Sequence, residues 1–218
     1  MVFLTILVFS TLNLSAQERR NDSISSSRFS ISSVSLFAGP YSPSMDFWND
    51  TFFKDANTDD GFQRGILYGC NIAFDLPLNL GARAGIWHWG EQVSGQDGGS
   101  FNTLNVNFTG LSLGAFYKYR KGIYWDMKPY VGVDGSFLMI QDKYNVSGNE
   151  NKKSGYDVVY TPFIGVDRVF NNHIVLGIEF GYFIGSYNQD LLLNSGATSA
   201  KISINGAKIQ LSVGYKFP

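Results

Sequence analysis

Residues 174–185 read IVLGIEFGYFIG. Ile174, Leu176, Ile178, Phe180, Tyr182 and Ile184 fall on one face of an extended chain. Val175, Gly177, Glu179, Gly181, Phe183 and Gly185 fall on the other. The first face is wholly apolar, and the second is mostly small with one carboxylate. A soluble sheet would bury its apolar face and wet a polar one. A face rich in glycine suits instead the crowded lumen of a narrow barrel, with the apolar face turned out to lipid. The end of the chain repeats the pattern: Ile209, Leu211, Val213, Tyr215 and Phe217 oppose Lys208, Gln210, Ser212, Gly214 and Lys216.

Outward from these two segments, the same period continues. Strands are expected near residues 31–41, 64–75, 80–91, 105–119, 127–142, 156–170, 174–187 and 201–217. Each is long enough for the roughly 9–11 tilted residues that cross a bilayer. The alternation in the first is too weak to orient it. The connections alternate long and short. Residues 42–63, 92–104, 143–155 and 188–200 are long and polar, whereas 77–79, 121–126 and 171–173 are tight. The expected fold is therefore all-β, an eight-stranded antiparallel up-and-down transmembrane β-barrel over residues 30–218. An even strand count puts both termini on the short-turn side. In outer-membrane barrels that side is periplasmic and the long loops are extracellular. Trp87 and Trp89 near one end, and Tyr117, Tyr119, Tyr124, Trp125 and Tyr130 near the other, read as interfacial girdles.

Composition agrees. Only 16% of the 218 residues are charged, against roughly 25% in soluble domains, while aromatic residues also reach 16%. Beyond residue 16 no long uncharged apolar run offers a membrane-spanning helix. A net charge of −1 gives no reason to expect nucleic acid. The lone Cys70 excludes an intrachain disulfide and reads as a small apolar strand residue. At the N-terminus, residues 1–16 form a short apolar stretch ending Leu14-Ser15-Ala16, an export signal with a small-residue cleavage site but no basic start. Residues 17–29 read as a polar periplasmic linker.

Gln210, Ser212, Tyr215 and Phe217 occupy the positions of the terminal-strand signal read by the barrel-assembly machinery. Ser212 replaces its usual Gly, and Pro218 follows the terminal aromatic. With the export signal and eight strands, the chain resembles the small eight-stranded outer-membrane barrels. It is most similar to the PorT-like barrel group of Bacteroidota, and more distantly to OmpX- and OmpW-like proteins. The resemblance covers about residues 30–217 and implies an architecture, outer-membrane lipid and lipopolysaccharide as surroundings, and the assembly machinery as a partner. It carries no catalytic motif.

Candidate chemistry is sparse. Arg83, Asp134, Asp167, Glu179, Lys208 and Lys216 lie on the inward faces, where buried charges must pair. We read them as a salt-bridged plug, with a gated ion path as the alternative. Asp55, Asn57 and Asp59 space oxygen ligands like the start of a calcium loop. Asp60 and Ile66, however, stand where the turn Gly and the bidentate Glu belong, so a solvated acidic loop is the better reading. His88 and His173 fall near opposite membrane faces and form no common metal or catalytic pair. Some barrels of this size modify lipid A, and the deacylase type carries a His-x-Ser pair. Here Gly90 stands two residues after His88, so that nucleophile is absent and no enzyme is expected. Trp87–Trp89 reads as an interfacial or sugar-facing aromatic cluster. No cofactor motif is evident. The expected protein is a monomeric barrel with a structural or surface-interaction role, its loop aromatics Phe47, Trp48, Phe52 and Phe53 making the contacts. The alternatives are a narrow transporter for small hydrophobic molecules and a barrel accessory of a secretion system.

Overall fold

The computed structural model describes residues 30–52, 61–97, 100–119, 124–146, 149–193 and 196–218. The expected export signal and linker, residues 1–29, lie outside them, as do Phe53, Asp55, Asn57 and Asp59. The strands are β1 (Ser30–Pro43), β2 (Gly65–Asp75), β3 (Leu80–Asp97), β4 (Ser100–Lys118), β5 (Lys128–Val146), β6 (Asn149–Phe170), β7 (Ile174–Phe183), β8 (Ser186–Leu193), β9 (Gly196–Ser203) and β10 (Gly206–Lys216). Eight of them close a barrel in the order β1-β10-β7-β6-β5-β4-β3-β2, and β8 and β9 form a separate hairpin. All pairings are antiparallel, and β1 meets β10 from Ser33↔Lys216 to Pro43↔Gly206.

Period-two alternation sets the faces. On β7, Ile178 and Phe180 are about half exposed while Glu179 between them is buried. Leu36, Leu113, Ile164 and Leu211 extend this outward apolar belt around the wall. Such a belt of exposed large apolar side chains is the lipid-facing surface of a spanning barrel. Strand β1 is now oriented: Phe37 and Tyr41 point in and Leu36 points out. Its pattern was blurred by a register shift against β2 between Ile31 and Ser33.

The short turns use left-handed backbone, as at Leu78 and Asn79 (φ 61° and 65°) and at Asn171 and Asn172 (φ 48° and 63°). Three of the expected long loops are not irregular. Strands β3 and β4 stay paired out to Asp97↔Ser100, and β5 and β6 out to Val146↔Asn149. Residues 188–193 lie in β8 and 196–200 in β9, paired to Leu193↔Gly196. Polarity marks where the wall leaves lipid, but backbone pairing is indifferent to it, so the ladder runs on.

The expected seventh and eighth strands are each interrupted. A Cβ on Gly185 would stand 2.4 Å from the Val159 side chain, so only glycine lets β7 break here. Asn205 Oδ1 accepts the Gly185 N–H at 2.9 Å, and the Ile204 N–H donates to the Gly185 carbonyl at 3.1 Å. These bonds hold β8 and β9 against the barrel mouth.

Inside, a second glycine makes room for bulk. The Trp87 indole lies over Gly110, where an added Cβ would sit 2.2 Å from Trp87 Cε2. The Trp87 indole N–H donates to Ser136 Oγ at 3.3 Å. Gly110→Ala is therefore expected to cost about 1–3 kcal/mol through displacement of a rigid indole. Urea unfolding of the detergent-folded barrel checks this, and an unchanged midpoint would mean the lumen yields freely.

Candidate functional site

The lumen holds two tiers. Toward the short-turn end, Arg83 of β3 reaches across the barrel. Its Nε donates to Asp134 Oδ1 on β5 at 2.8 Å, and its Nη1 donates to Glu179 Oε2 on β7 at 2.6 Å. Each carboxylate takes a second guanidinium N–H, so both pairs are bidentate. Lys208 Nζ of β10 lies 3.3 Å from Glu179 Oε1 and donates to Gln210 Oε1 at 2.8 Å. The Tyr130 hydroxyl donates to Glu179 Oε2 at 3.3 Å, and the Phe163 ring lies 3.7 Å beneath the guanidinium carbon. Two cations meet two carboxylates, so the tier is neutral, and the guanidinium fork spans the lumen from β3 to β5 and β7.

Of the six charges read as inward, Arg83, Asp134, Glu179 and Lys208 come together. Asp167 lies toward the short-turn end, lining a cavity of about 60 Å³ together with Arg83, Lys118 and Glu179. Lys216 does not join. It stands half-buried at the rim, eight residues or roughly 26 Å along β10 from Lys208. At that rim Lys118 pairs with Asp75 at 2.9 Å. Lys118 and Asp75 are further inward charges, and both were missed because they sit at strand ends, where alternation is hardest to extrapolate.

Toward the long-loop end the lumen is aromatic. Trp48, Trp89, Phe108, Tyr144, Phe183 and Tyr187 are all buried. Trp89 stacks on Phe108 with ring centroids 5.0 Å apart, and Trp87 meets Phe183 at the same distance. This corrects three expectations. Trp87 and Trp89 are lumen side chains rather than an outward girdle or sugar platform, because they share the inward parity of Arg83. Tyr130 also points inward, to Glu179, whereas Tyr117, Tyr119 and Trp125 are exposed. Trp48 is no exposed contact: it is fully buried.

The described part of the first loop, residues 44–52 and 61–63, packs at the mouth. Ser44 N–H donates to the Asn205 carbonyl at 2.7 Å, and Met45 N–H to the Ser203 carbonyl at 3.0 Å. A short helical turn, Trp48–Phe52, follows, and Met45 and Trp48 both reach the core. Asn49 Nδ2 donates to the carbonyls of Ser44 and Phe62, while its Oδ1 accepts the Phe62 N–H, tying both ends of the loop together. Phe47 is half-buried edge-on against Trp48 at 5.6 Å, and Phe52 ends the helical turn.

One polar relay threads this aromatic tier. The Trp48 indole N–H donates to the Tyr187 hydroxyl at 3.1 Å, which donates to Asp142 Oδ2 at 3.1 Å. The relay joins the first loop, the β8–β9 hairpin and β5. Asp142 lies beyond the apolar belt, between outward-facing Gln141 and Lys143, and the Lys143 ammonium pairs with Glu150 on the wall at 3.0 Å. Burial pushes the Asp142 carboxyl up to about 7, and the Tyr187 hydroxyl only partly opposes this.

Among the described residues, no cluster of three His, Cys, Asp or Glu side chains could hold a metal ion. His88 points outward, its Nδ1 3.1 Å from Thr109 Oγ1, and His173 stacks on Tyr215 at the short-turn end.

Residues 3–217 match the family described as outer membrane protein beta-barrel domain. No curated protein sequence matches the chain. Among solved structures it is similar to Neisserial surface protein A, at 14% identity and a TM-score of 0.54, covering 87% of this chain and 99% of that one. It is also similar to the outer membrane protein OprG from Pseudomonas aeruginosa, at 12% identity and a TM-score of 0.59, covering 85% of this chain and 96% of that one. Identities this low carry the fold alone.

Proposed function

Since the chain belongs to the outer membrane protein beta-barrel domain family, and so to the outer membrane, we propose that it is a closed, non-enzymatic barrel acting through its long-loop end. The observation that carries this is closure at two levels: a neutral ion-paired tier below and an aromatic tier with the infolded first loop above. Short turns at one end and extended hairpins at the other favour periplasmic termini and an extracellular long-loop end. The polar outward faces of the β3–β6 extensions, including Gln92, Ser94, Lys143 and Glu150, replace the buried Trp48 as the contact surface. In this reading the protein is a monomer amid lipid and lipopolysaccharide. Export of residues 1–16, recognition of β10 by the assembly machinery, and PorT-like ancestry complete it.

Planar-bilayer recording tests closure. The wild-type barrel is expected to be silent, and Trp48→Ala is expected to stay silent because the lower tier still blocks the path. Steady, sizeable single-channel conductance from the wild type would overturn the proposal.

A further inference from the structure

On the outer wall, β2, β3 and β4 together form a groove of about 480 Å³. Its rows follow from register. Tyr68 faces His88, which faces Thr109; Gly90 faces Asn107; Gln92 faces Asn105. The absent side chain at Gly90 makes the floor, since a Cβ there would stand 2.4 Å from Asn107 Oδ1. Tyr68 and His88 form one wall, ring centroids 5.4 Å apart. Asn107 donates to Asn105 along the other. Among the described residues, no Lys or Arg side chain lines the groove.

Its place on the wall is specific. Directly toward the short-turn end lie Ile86 and Leu111, each nearly half exposed in the apolar belt. Toward the long-loop end, exposed Gln92 and Ser94 begin the polar extension. The groove therefore sits where acyl chains end and headgroups begin.

We propose that this groove binds the neutral sugar headgroup of a glycolipid whose acyl chains lie along Ile86 and Leu111. The Asn105, Asn107 and Gln92 side chains offer paired donors and acceptors to vicinal hydroxyls, and Tyr68 offers an aromatic face to the sugar ring. The lack of lysine and arginine disfavours a phosphate headgroup, which calls for charge-assisted bonds. This goes beyond the closed-lumen reading and does not depend on whether the barrel conducts.

The two histidines give a direct readout, because His88 lines the groove and His173 sits at the opposite end. The barrel is placed in phosphatidylcholine nanodiscs and titrated with monoglucosyl diacylglycerol while both imidazole signals are followed by NMR. The expected result is a saturable shift of His88 with His173 unmoved. Gly90→Val, which fills the floor, and Asn107→Ala, which removes an amide, are each expected to weaken the response at least tenfold. The heat-dependent gel shift verifies that each variant is folded, and Asn107→Ala serves alone if Gly90→Val is not. Free glucose is expected to leave His88 unmoved at matching concentrations, and phosphatidylglycerol to do the same. No His88 shift, or an undiminished shift in Asn107→Ala, overturns the site. An equal response to free glucose overturns the lipid-anchored ligand, and an equal response to phosphatidylglycerol overturns the sugar.

Discussion

Arg83→Met is expected to destabilise the barrel by about 3–5 kcal/mol, the usual cost of breaking a buried ion pair from one side. The guanidinium holds four hydrogen bonds to Asp134 and Glu179, and both carboxylates are buried. Removing it strips Asp134 of its hydrogen-bonded cation and leaves Lys208 as the one cation shared by both carboxylates. The bond energy lost matters less than the charge stranded in a lumen with little water. Arg83→Met combined with Asp134→Asn is expected to recover most of the loss, because Glu179 and Lys208 then remain as a neutral buried pair. Urea titration in detergent micelles, read by the heat-dependent gel shift, separates the two. A single variant within about 1 kcal/mol of wild type would show that water reaches the tier and screens it.

Asp142→Asn is expected to remove most of the pH dependence of the aromatic tier. The Asp142 carboxyl is raised from 3.8 to about 7 in the folded protein, chiefly by burial. Between those two values the folded chain therefore binds the extra proton. Stability contributed by this group is full at low pH, declines as pH rises from about 4 to 7, and is flat above. A shift of this size corresponds to about 4 kcal/mol across that window. Asn still accepts from the Tyr187 hydroxyl and cannot ionise. The variant is expected to lose this decline and to exceed wild type in stability at pH 8. Tryptophan fluorescence during urea unfolding at pH 5 and pH 8 reads the difference, since Trp48 belongs to the same relay. Parallel pH profiles for variant and wild type would sink the assignment.

The barrel was legible in β7 and β10 because their apolar and small residues separate cleanly by parity. The same parity already contained the interior. Once Arg83 is placed inward, Trp87 and Trp89 must follow, and Asp134 carries Leu138, Ile140 and Asp142 with it. Judging aromatics by nearness to strand ends, rather than by parity, sent two indoles to the wrong side of the wall. Other features were not in the pattern at all. That Arg83 grips both Asp134 and Glu179 depends on the distance across a closed cylinder, which no neighbouring register states. Trp48 sits in a polar segment, and only its i, i+3 relation to Met45 hinted at a shared buried face. The rim pair Lys118–Asp75 lay just where strand boundaries are hardest to fix.

The ion-paired tier also bears on the order of assembly. Arg83, Asp134 and Glu179 come from β3, β5 and β7, and by themselves they sum to one excess negative charge. Lys208, which cancels it, arrives on β10, the strand that zips to both β7 and β1. An open sheet lacking that strand carries an unbalanced charge on the face that will become the lumen. Neutralisation and cylinder closure are thereby one cooperative event, and a half-finished wall has an electrostatic reason not to seal around the wrong edge.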